Sequence, residues 1–206
     1  MNVDVTKTRA GENYLTVPEE KQLFDYLKKL KDTQAERDFI LMKTARLLAL
    51  RRVECCRLNV GDVYSKTRLV ITERIAAKGA VGELPIPVEL QNLLEWFIRW
   101  KREQGQGVAD DDPLFVSRNG TRMNKSSINR AMNKWCKAAG IENNITFHGL
   151  RHTKAQRIMG DDRHLTRAQQ RNALLLANRQ LRHKSINSTM IYTTPSREDM
   201  AAVAGI

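Results

Sequence analysis

The chain has 206 residues, of which 41% are hydrophobic, 28% charged and 6% aromatic, and its formal net charge at pH 7 is +12. This composition can fill a real core and excludes a low-complexity chain. No apolar run approaches the ~20 residues that span a bilayer. Residues 1–11 also lack the apolar stretch of a signal peptide, so we expect neither a membrane protein nor a secreted one.

The three cysteines point to a reducing compartment. Cys55 and Cys56 are adjacent, and the odd total fits neither a disulfide framework nor a paired zinc motif. We therefore expect all three to be buried or half-buried thiols in the cytoplasm.

The positive charge is concentrated in the C-terminal half. Residues 113–197 carry 16 Lys and Arg against three acids, whereas the rest of the chain carries 19 basic and 20 acidic residues. A surface that serves solubility alone would normally mix the two signs. An excess of one sign over helical segments instead favours a face that binds a polyanion, and nucleic acid is the expected partner.

The N-terminal part is predicted to be helical after a lead-in over residues 1–15. Thr16, Pro18 and the two acids that follow mark a helix start, and apolar residues at helical spacing continue that helix. Two further helices are predicted over 35–48 and 53–58.

The pattern then changes to short β-branched runs bounded by turn residues. Residues 68–72 and 82–87 predict two strands, with a turn over 76–80 between them. The two prolines of the second run suit an edge strand.

The remainder of the chain is predicted to return to helices. They span 89–104, 126–139, 149–159, 166–181 and 185–192. Ser126 or Ser127 is expected to cap the second of these, and Gly140 to end it as a left-handed cap. The elements together predict one mostly helical α+β domain over 16–195 with a small antiparallel sheet, followed by a tail over 196–206.

Four short segments carry polar side chains that do not fit a core. They cover residues 51–58, 78–79, 148–153 and 182–192. Each is weak alone, because an arginine after a helix end can be a surface cap and a lysine in a turn is normally solvated. His148 and His152 have the spacing of two zinc ligands, but the glutamate of the HExxH motif is absent, which disfavours a metal site.

Together the segments form an ordered set of motifs. Arg51-x-x-Glu54-x-x-x-Leu58 is an Arg-x-x-Glu-x-x-x-Leu box. Lys78 follows in the turn between the two predicted strands.

The set continues with His148-x-x-Arg151 and with His183 nine residues before Tyr192. In order and spacing it resembles the catalytic domain of the tyrosine recombinases, the phage-integrase family, over nearly the whole chain. The resemblance implies that family's catalytic-domain fold.

The resemblance further implies cleavage and rejoining of DNA strands by transesterification, without a metal or cofactor. The implied catalytic residues are Arg51, Lys78, His148, Arg151, His183 and Tyr192. Two arginine forks suit the non-bridging oxygens of a phosphodiester transition state better than lysines do, and His183 adds a donor. In the family pattern, Tyr192 attacks to form a 3′-phosphotyrosyl bond, His148 acts as the base and Lys78 protonates the leaving 5′-hydroxyl.

The chain departs from the family pattern at three places. Ala49 and Arg182 stand where the family usually has glycine, and a close backbone approach or a positive φ there would cost ~1 kcal/mol. Arg151 and His183 are farther apart than usual, and residues 161–171 are the expected extra material.

Several other polar residues have expected roles. Glu54 is expected to orient Arg51 or to cap a neighbouring helix. His152 is expected to hydrogen-bond to the catalytic groups without contacting the substrate itself. A basic run without acids is expected to contact DNA phosphates, which positions DNA without reading its sequence. The run comprises Arg118, Arg122, Lys125, Arg130, Lys134 and Lys137.

The expected partner is double-stranded DNA, bound by a homo-tetramer on two sites that exchanges the segment 196–206 between protomers. An accessory DNA-bending protein and a location on the nucleoid fit this interpretation. Family members usually add an N-terminal helical clamp, so the chain is expected to be either an excised catalytic domain or a short recombinase. A type IB topoisomerase-like enzyme and a non-catalytic DNA-binding protein on the same scaffold remain alternatives.

Overall fold

The computed structural model describes residues 13–160 and 166–183, together with Ser185 and Thr189. Within these residues the chain forms seven α-helices and one two-stranded antiparallel sheet. The helices are α1 (Val17–Lys29), α2 (Thr33–Leu48), α3 (Arg52–Arg57), α4 (Val88–Glu103), α5 (Lys125–Ala138), α6 (Gly149–Met159) and α7 (Arg167–Leu181), and the strands are β1 (Arg68–Ile71) and β2 (Gly82–Pro85). The predicted mostly helical α+β class with a small antiparallel sheet is confirmed.

Helix α1 begins at the predicted position because its cap is complete. The Thr16 hydroxyl accepts a hydrogen bond from the Glu19 N–H at 3.3 Å, and the Glu19 carboxylate accepts one from the Thr16 N–H at 2.9 Å. This reciprocal pair satisfies two N–H groups that the helix itself leaves without a partner.

Helix α2 starts two residues earlier than predicted and is buried on most of its surface. The Asp32 carboxylate accepts a hydrogen bond from the Ala35 N–H at 2.8 Å, and this cap adds the first two residues. The helix ends at Ala49, which has φ 53° and ψ 39°. Of the two requirements expected at this position, close backbone approach or positive φ, the structure shows the positive φ.

The sheet has the predicted order, with each strand shorter than expected at its C-terminal end. Leu69 pairs with Leu84, and both side chains are buried, whereas their neighbours Val70 and Glu83 are exposed. This alternation with period two fixes the register, because a slip of one residue would expose the leucine of the strand that slips.

Helix α5 shows one error in the predicted caps. Neither Ser126 nor Ser127 is its cap, since the Asn124 side-chain oxygen accepts a hydrogen bond from the Ser127 N–H at 2.9 Å. Asparagine caps helices as well as serine does, so the sequence around residue 125 allows more than one start. The left-handed Gly140 after the helix is confirmed, with φ 74°.

The chain divides into a larger unit that ends at Lys154 and a smaller one that begins at Ala155. In the larger unit, helices and sheet enclose one apolar core, which contains fully buried side chains such as Leu23, Ile40, Phe97, Phe115 and Phe147. The three cysteines are free thiols, two buried and one half-buried, as expected.

The smaller unit has its own apolar cluster. Met159 at the end of α6 packs with Ala173 and Ala177 of α7. Helix α7 begins after the cap Thr166 and ends at Arg182, which has φ 49° and ψ 48°. At this position too, the positive φ is the one of the two expected requirements that the structure shows. None of the described helices is long and apolar enough to cross a membrane.

Some predictions concern residues outside the described part of the chain. They are most of the helix over 185–192, the nucleophile Tyr192, the tail 196–206 and the first five residues of the insertion 161–171. The division into a lead-in, one domain over 16–195 and a tail also stays a prediction.

Candidate active site

Arg51 is held at the N-terminus of α3 by the acid of its own motif. The Glu54 carboxylate accepts hydrogen bonds from the Arg51 backbone N–H at 2.8 Å and from its guanidinium at 3.2 Å. The Glu54 side chain is fully buried, and the Arg51 side chain is 20% exposed. The expected orientation of Arg51 by Glu54 is confirmed, whereas the helix that the carboxylate caps is its own helix α3 and not a neighbouring one.

Glu54 also reaches the turn that carries Lys78. Its Oε1 atom accepts a hydrogen bond from the Ala77 N–H at 3.3 Å, and that residue directly precedes the lysine. One buried carboxylate therefore connects the Arg51 guanidinium with the backbone beside Lys78.

Lys78 lies in the predicted turn between β1 and β2, and its side chain is exposed. Lys78 and Gly79 both have positive φ, 55° and 65°, and the Ala80 N–H donates to the Ala77 carbonyl at 3.2 Å. Positive φ at both central residues is the requirement of a type I′ turn. A lysine in this conformation is strained, which is a feature found at functional sites.

Arg151 is the most enclosed of the predicted catalytic groups in the larger unit. It is 1% exposed, and its guanidinium donates a hydrogen bond to the backbone carbonyl of Ala49. That carbonyl belongs to the residue two positions before Arg51. The first and third motifs are thus brought together, and the left-handed turn at Ala49 is part of the connection.

His148 lies just before α6, with its side chain exposed. Its carbonyl accepts hydrogen bonds from the N–H groups of Arg151 and His152. Its ring packs edge to face against the His152 ring, and the two ring centroids are 4.6 Å apart. Burial, with a smaller effect from Arg151, lowers the pKa of His152, so this ring is held neutral near pH 7. Among the described residues no three His, Cys, Asp or Glu side chains cluster as metal ligands would.

The segment before α1 fixes the start of α6. The Asn13 side chain exchanges hydrogen bonds with Thr146, at 2.7 and 2.9 Å, and the Leu15 N–H donates to the buried Thr153 hydroxyl at 2.8 Å. Gly149 permits this approach, because a Cβ there would lie 2.6 Å from the Asn13 side-chain oxygen. Residues 13 and 15 therefore brace the helix that carries Arg151.

His183 belongs to the smaller unit, directly after the end of α7. Its Nδ1 atom is 2.8 Å from the hydroxyl of Thr189, whose side chain is fully buried. Tyr192, the sixth predicted catalytic residue, lies outside the described residues.

Four of the six residues of the predicted basic run line one cavity of about 570 Å³ in the larger unit, and Lys137 is not among its lining residues. They are Arg118, Arg122, Arg130 and Lys134. Lys125 is exposed at the first position of α5 and does not line it. The cavity thus collects much of the basic run on one surface.

The four cations are not equivalent. The Arg122 guanidinium donates to the carbonyl of Leu58 at 2.9 Å and to the Asn59 side chain at 2.7 Å, so it fastens its loop to the segment after α3. All four side chains are exposed, so it is these hydrogen bonds that distinguish Arg122 from Arg118, Arg130 and Lys134. We call these three the cavity cations.

Sequence reasoning missed the inner wall of this cavity. Arg37, 9% exposed, donates to the Val116 carbonyl at 3.0 Å and pairs with Asp38, which also accepts from the Trp135 indole at 2.8 Å. Burial raises the pKa of Asp38 despite its arginine partner. An Arg-Asp pair inside an apolar helix was the available signal, because such residues are buried only when paired.

Residues 13–199 match the model of the phage integrase family. This chain belongs to that family. The resemblance drawn from the motifs is confirmed.

Two curated relatives are tyrosine recombinases named XerC. The protein of Vibrio vulnificus (strain YJ016) is 29% identical over 199 residues, which cover 96% of this chain and 58% of the relative. That of Shewanella amazonensis is 29% identical over 174 residues, 84% of this chain and 53% of the relative. The chain thus spans little more than half the length of these relatives.

Solved structures share the fold. A crystal structure of XerA recombinase matches with a TM-score of 0.68 and 22% identity, over 96% of this chain and 64% of that one. XerH site-specific recombinase bound to difH substrate, a pre-cleavage complex, matches with a TM-score of 0.68 and 21% identity, over all of this chain and 56% of that one. The recombinase catalytic-domain fold is confirmed at these levels of identity.

Proposed function

We propose that this chain is the catalytic part of a site-specific DNA recombinase that cleaves and rejoins strands through a 3′-phosphotyrosyl bond to Tyr192. The observation that carries the proposal is the hydrogen-bonded framework around Glu54 and Ala49. It joins two arginines and the lysine turn, three motifs that lie far apart in the sequence. A structural salt bridge would not need all three.

The framework fits phosphodiester chemistry. The transition state concentrates negative charge on two non-bridging oxygens, and Arg51 and Arg151 each offer a planar fork of donors for them. Because both forks are held in place before the substrate arrives, they stabilise that charge without reorganisation, at ~3–4 kcal/mol per donor.

The remaining roles follow the family pattern. Tyr192 attacks phosphorus with its phenol oxygen, His148 receives the phenol proton, and Lys78 gives a proton to the 5′-oxygen that leaves. The bond energy is kept in the phosphotyrosine, so a free 5′-hydroxyl of a second strand can reverse the step. Neither a nucleotide nor a metal takes part.

DNA as the substrate is supported by the cavity cations and by the relatives. Recombinases with the same fold have been solved on DNA, including XerH before and after cleavage. We propose that this protein acts as a homo-tetramer on two DNA sites, aided by an accessory DNA-bending protein. Its location would then be the nucleoid in the cytoplasm.

Covalent trapping tests the proposal. The protein is mixed with labelled duplex DNA from its genetic neighbourhood, nicked so that the cleaved fragment diffuses away, and run on a denaturing gel. A shifted band is expected for the wild type and not for Tyr192→Phe. Salt-sensitive binding without any covalent band in the wild type would contradict the proposal and favour a binding protein.

The topoisomerase alternative predicts a different specificity. An enzyme of that kind would relax supercoiled plasmids at arbitrary sequences. The proposed recombinase is expected to form the covalent band only on DNA that contains its site. The presence of the band on unrelated duplexes would therefore favour the alternative.

A further inference from the structure

The end of α7 holds the backbone of His183 in place. The His183 N–H donates to the Asn178 carbonyl at 3.2 Å, across the left-handed residue Arg182. This is the longer hydrogen bond of a Schellman motif, which closes the end of a helix. The imidazole therefore leaves a rigid element rather than a loop.

The side chain of Asn178 holds the ring a second time, through Thr189. The Asn178 Nδ2 group lies 3.1 Å from the Thr189 hydroxyl and 3.3 Å from the Ser185 carbonyl. The Thr189 hydroxyl, fully buried, lies 2.8 Å from Nδ1 of His183. All four residues belong to the smaller unit.

The direction of these hydrogen bonds follows from the groups involved. The Ser185 carbonyl can only accept, so the Asn178 atom that faces it is the donating NH₂ group. That group therefore also donates to the Thr189 oxygen. Nδ1 of His183, 2.8 Å from the Thr189 oxygen, can then accept the hydroxyl proton, and a buried hydroxyl donor is normally paired with an acceptor.

We propose that Asn178 and Thr189 are positioning residues that fix His183 as the neutral tautomer with its proton on Nε2. Nδ1 accepts from Thr189, and Nε2–H is the group that donates to a non-bridging phosphate oxygen. The proposal rests on the proposed function for its purpose. The tautomer itself is a property of the protein without DNA.

The test is the tautomer of His183, read by long-range ¹H–¹⁵N NMR correlation on the ¹⁵N-histidine-labelled protein. The spectrum is recorded at about pH 8, above the ordinary histidine pKa of about 6.5. The chain has four histidines, so the His183 signals are assigned by their loss in His183→Gln. We expect an unprotonated Nδ1 and a protonated Nε2. A protonated Nδ1 in the wild type would overturn the proposal.

Three variants test the direction of the hydrogen bonds that run from Asn178 through Thr189 to His183. We call these hydrogen bonds the relay. Thr189→Ser keeps the hydroxyl and should keep the tautomer, whereas Thr189→Val has nearly the same shape without a donor and should lose the preference. Asn178→Asp replaces the donor by an acceptor, so the Thr189 proton turns to the carboxylate and the histidine proton should move to Nδ1. An unchanged tautomer in both Thr189→Val and Asn178→Asp would refute the relay.

Covalent trapping on DNA separates positioning from a purely structural role. Partners that orient a metal-bound histidine are worth about 10–100-fold in activity. On that scale Thr189→Val should slow formation of the covalent complex about 10-fold, and Thr189→Ser should restore it. In the His183→Gln background Thr189→Val should cost nothing further, because it acts through the ring. An equal loss in both backgrounds would contradict the relay.

The proposed tautomer of His183 and the proposed recombinase activity can be refuted independently of each other. A protonated Nε2 without any covalent complex would leave the relay in place and reject the recombinase. A covalent complex formed by a wild type with a protonated Nδ1 would do the reverse.

Discussion

The larger unit contains two groups of cations that differ in exposure and in the partners that hold them. Arg151 is 1% exposed and Arg51 20% exposed, and each is bonded to a partner that is itself buried. The cavity cations are exposed. Two of them make local contacts: Arg130 donates to Ser127 one turn away at 3.1 Å, and the Lys134 ammonium lies 3.9 Å from the Trp135 ring centroid.

The difference matches two tasks on one polyanion. A group that stabilises a transition state must already be in place, within a fraction of an ångström, when the charge develops. A group that grips backbone phosphates gains from adapting to the DNA, and it positions the duplex without reading its sequence. Buried and braced arginines therefore suit cleavage, and exposed cations suit binding.

The largest effect is expected for Arg151→Lys. Lysine keeps the charge but cannot reach the Ala49 carbonyl and two phosphate oxygens with one planar fork. The rate of covalent complex formation at saturating DNA should fall about 10²–10³-fold, the usual loss for one missing donor. Arg102→Lys, an exposed position on α4, is the control and should leave the rate unchanged. A rate within about threefold of wild type for Arg151→Lys would argue against the fixed fork.

The next effect concerns Glu54, the carboxylate that holds Arg51 in place. Glu54→Ala removes three hydrogen bonds and leaves the Arg51 charge half-enclosed, which should cost about 3 kcal/mol in the free energy of unfolding measured by urea denaturation. Glu54→Gln keeps an accepting oxygen and should cost about 1 kcal/mol. Equal costs for the two variants would mean that the carboxylate charge and its cap do not hold the site.

The cavity cations should show their effect in the salt dependence of binding. Each cation that contacts a phosphate adds about 0.9 to the slope of log Kd against log salt, so the triple alanine variant should lose about 2.7. A matched triple variant at Lys29, Lys31 and Arg102, exposed residues that do not line the cavity, removes the same charge. Equal slopes for the two triple variants would assign the effect to net charge rather than to the cavity.

The smallest effect is expected for Ala49→Gly, at the turn that holds Arg151. Relief of the left-handed strain, about 1–2 kcal/mol, is offset by the lost buried methyl, about 0.8 kcal/mol, and by backbone entropy, about 0.5–1 kcal/mol. The free energy of unfolding should change by less than about 0.5 kcal/mol. Ala45→Gly inside α2 has no strain to relieve and should cost about 2 kcal/mol. Similar costs at both positions would contradict the strain at Ala49.

Sequence reasoning reached the parts that depend on local pattern. Helix periodicity and the β-branched runs bounded by turn residues are readable from neighbouring residues, whereas the expectation for Ala49 and Arg182 came from the resemblance to the family. It placed the cap of α5 wrongly, on Ser126 or Ser127. Asn124 is an equally good cap by residue type, and only the backbone direction decides between these residues.

The rest depends on contacts between distant parts of the chain. The bond from Glu54 to the Ala77 N–H joins residues 23 positions apart. Arg122 looks like its basic neighbours in the sequence, yet it is committed to carbonyls 64 and 66 residues away. Residue type alone does not tell a structural arginine from a phosphate contact, because both need the same donors.

The central claim is that the buried arginines act in cleavage and the exposed cations act in binding. It is tested most directly by the single-turnover rate of covalent complex formation at saturating DNA, measured for the triple alanine variant of the cavity cations. Saturation removes differences in affinity, so the rate reports the chemical step alone. We predict a rate within about twofold of wild type, together with the weakened, less salt-dependent binding. A loss of about tenfold or more at saturation would contradict the account, because the exposed cations would then act in the transition state as well.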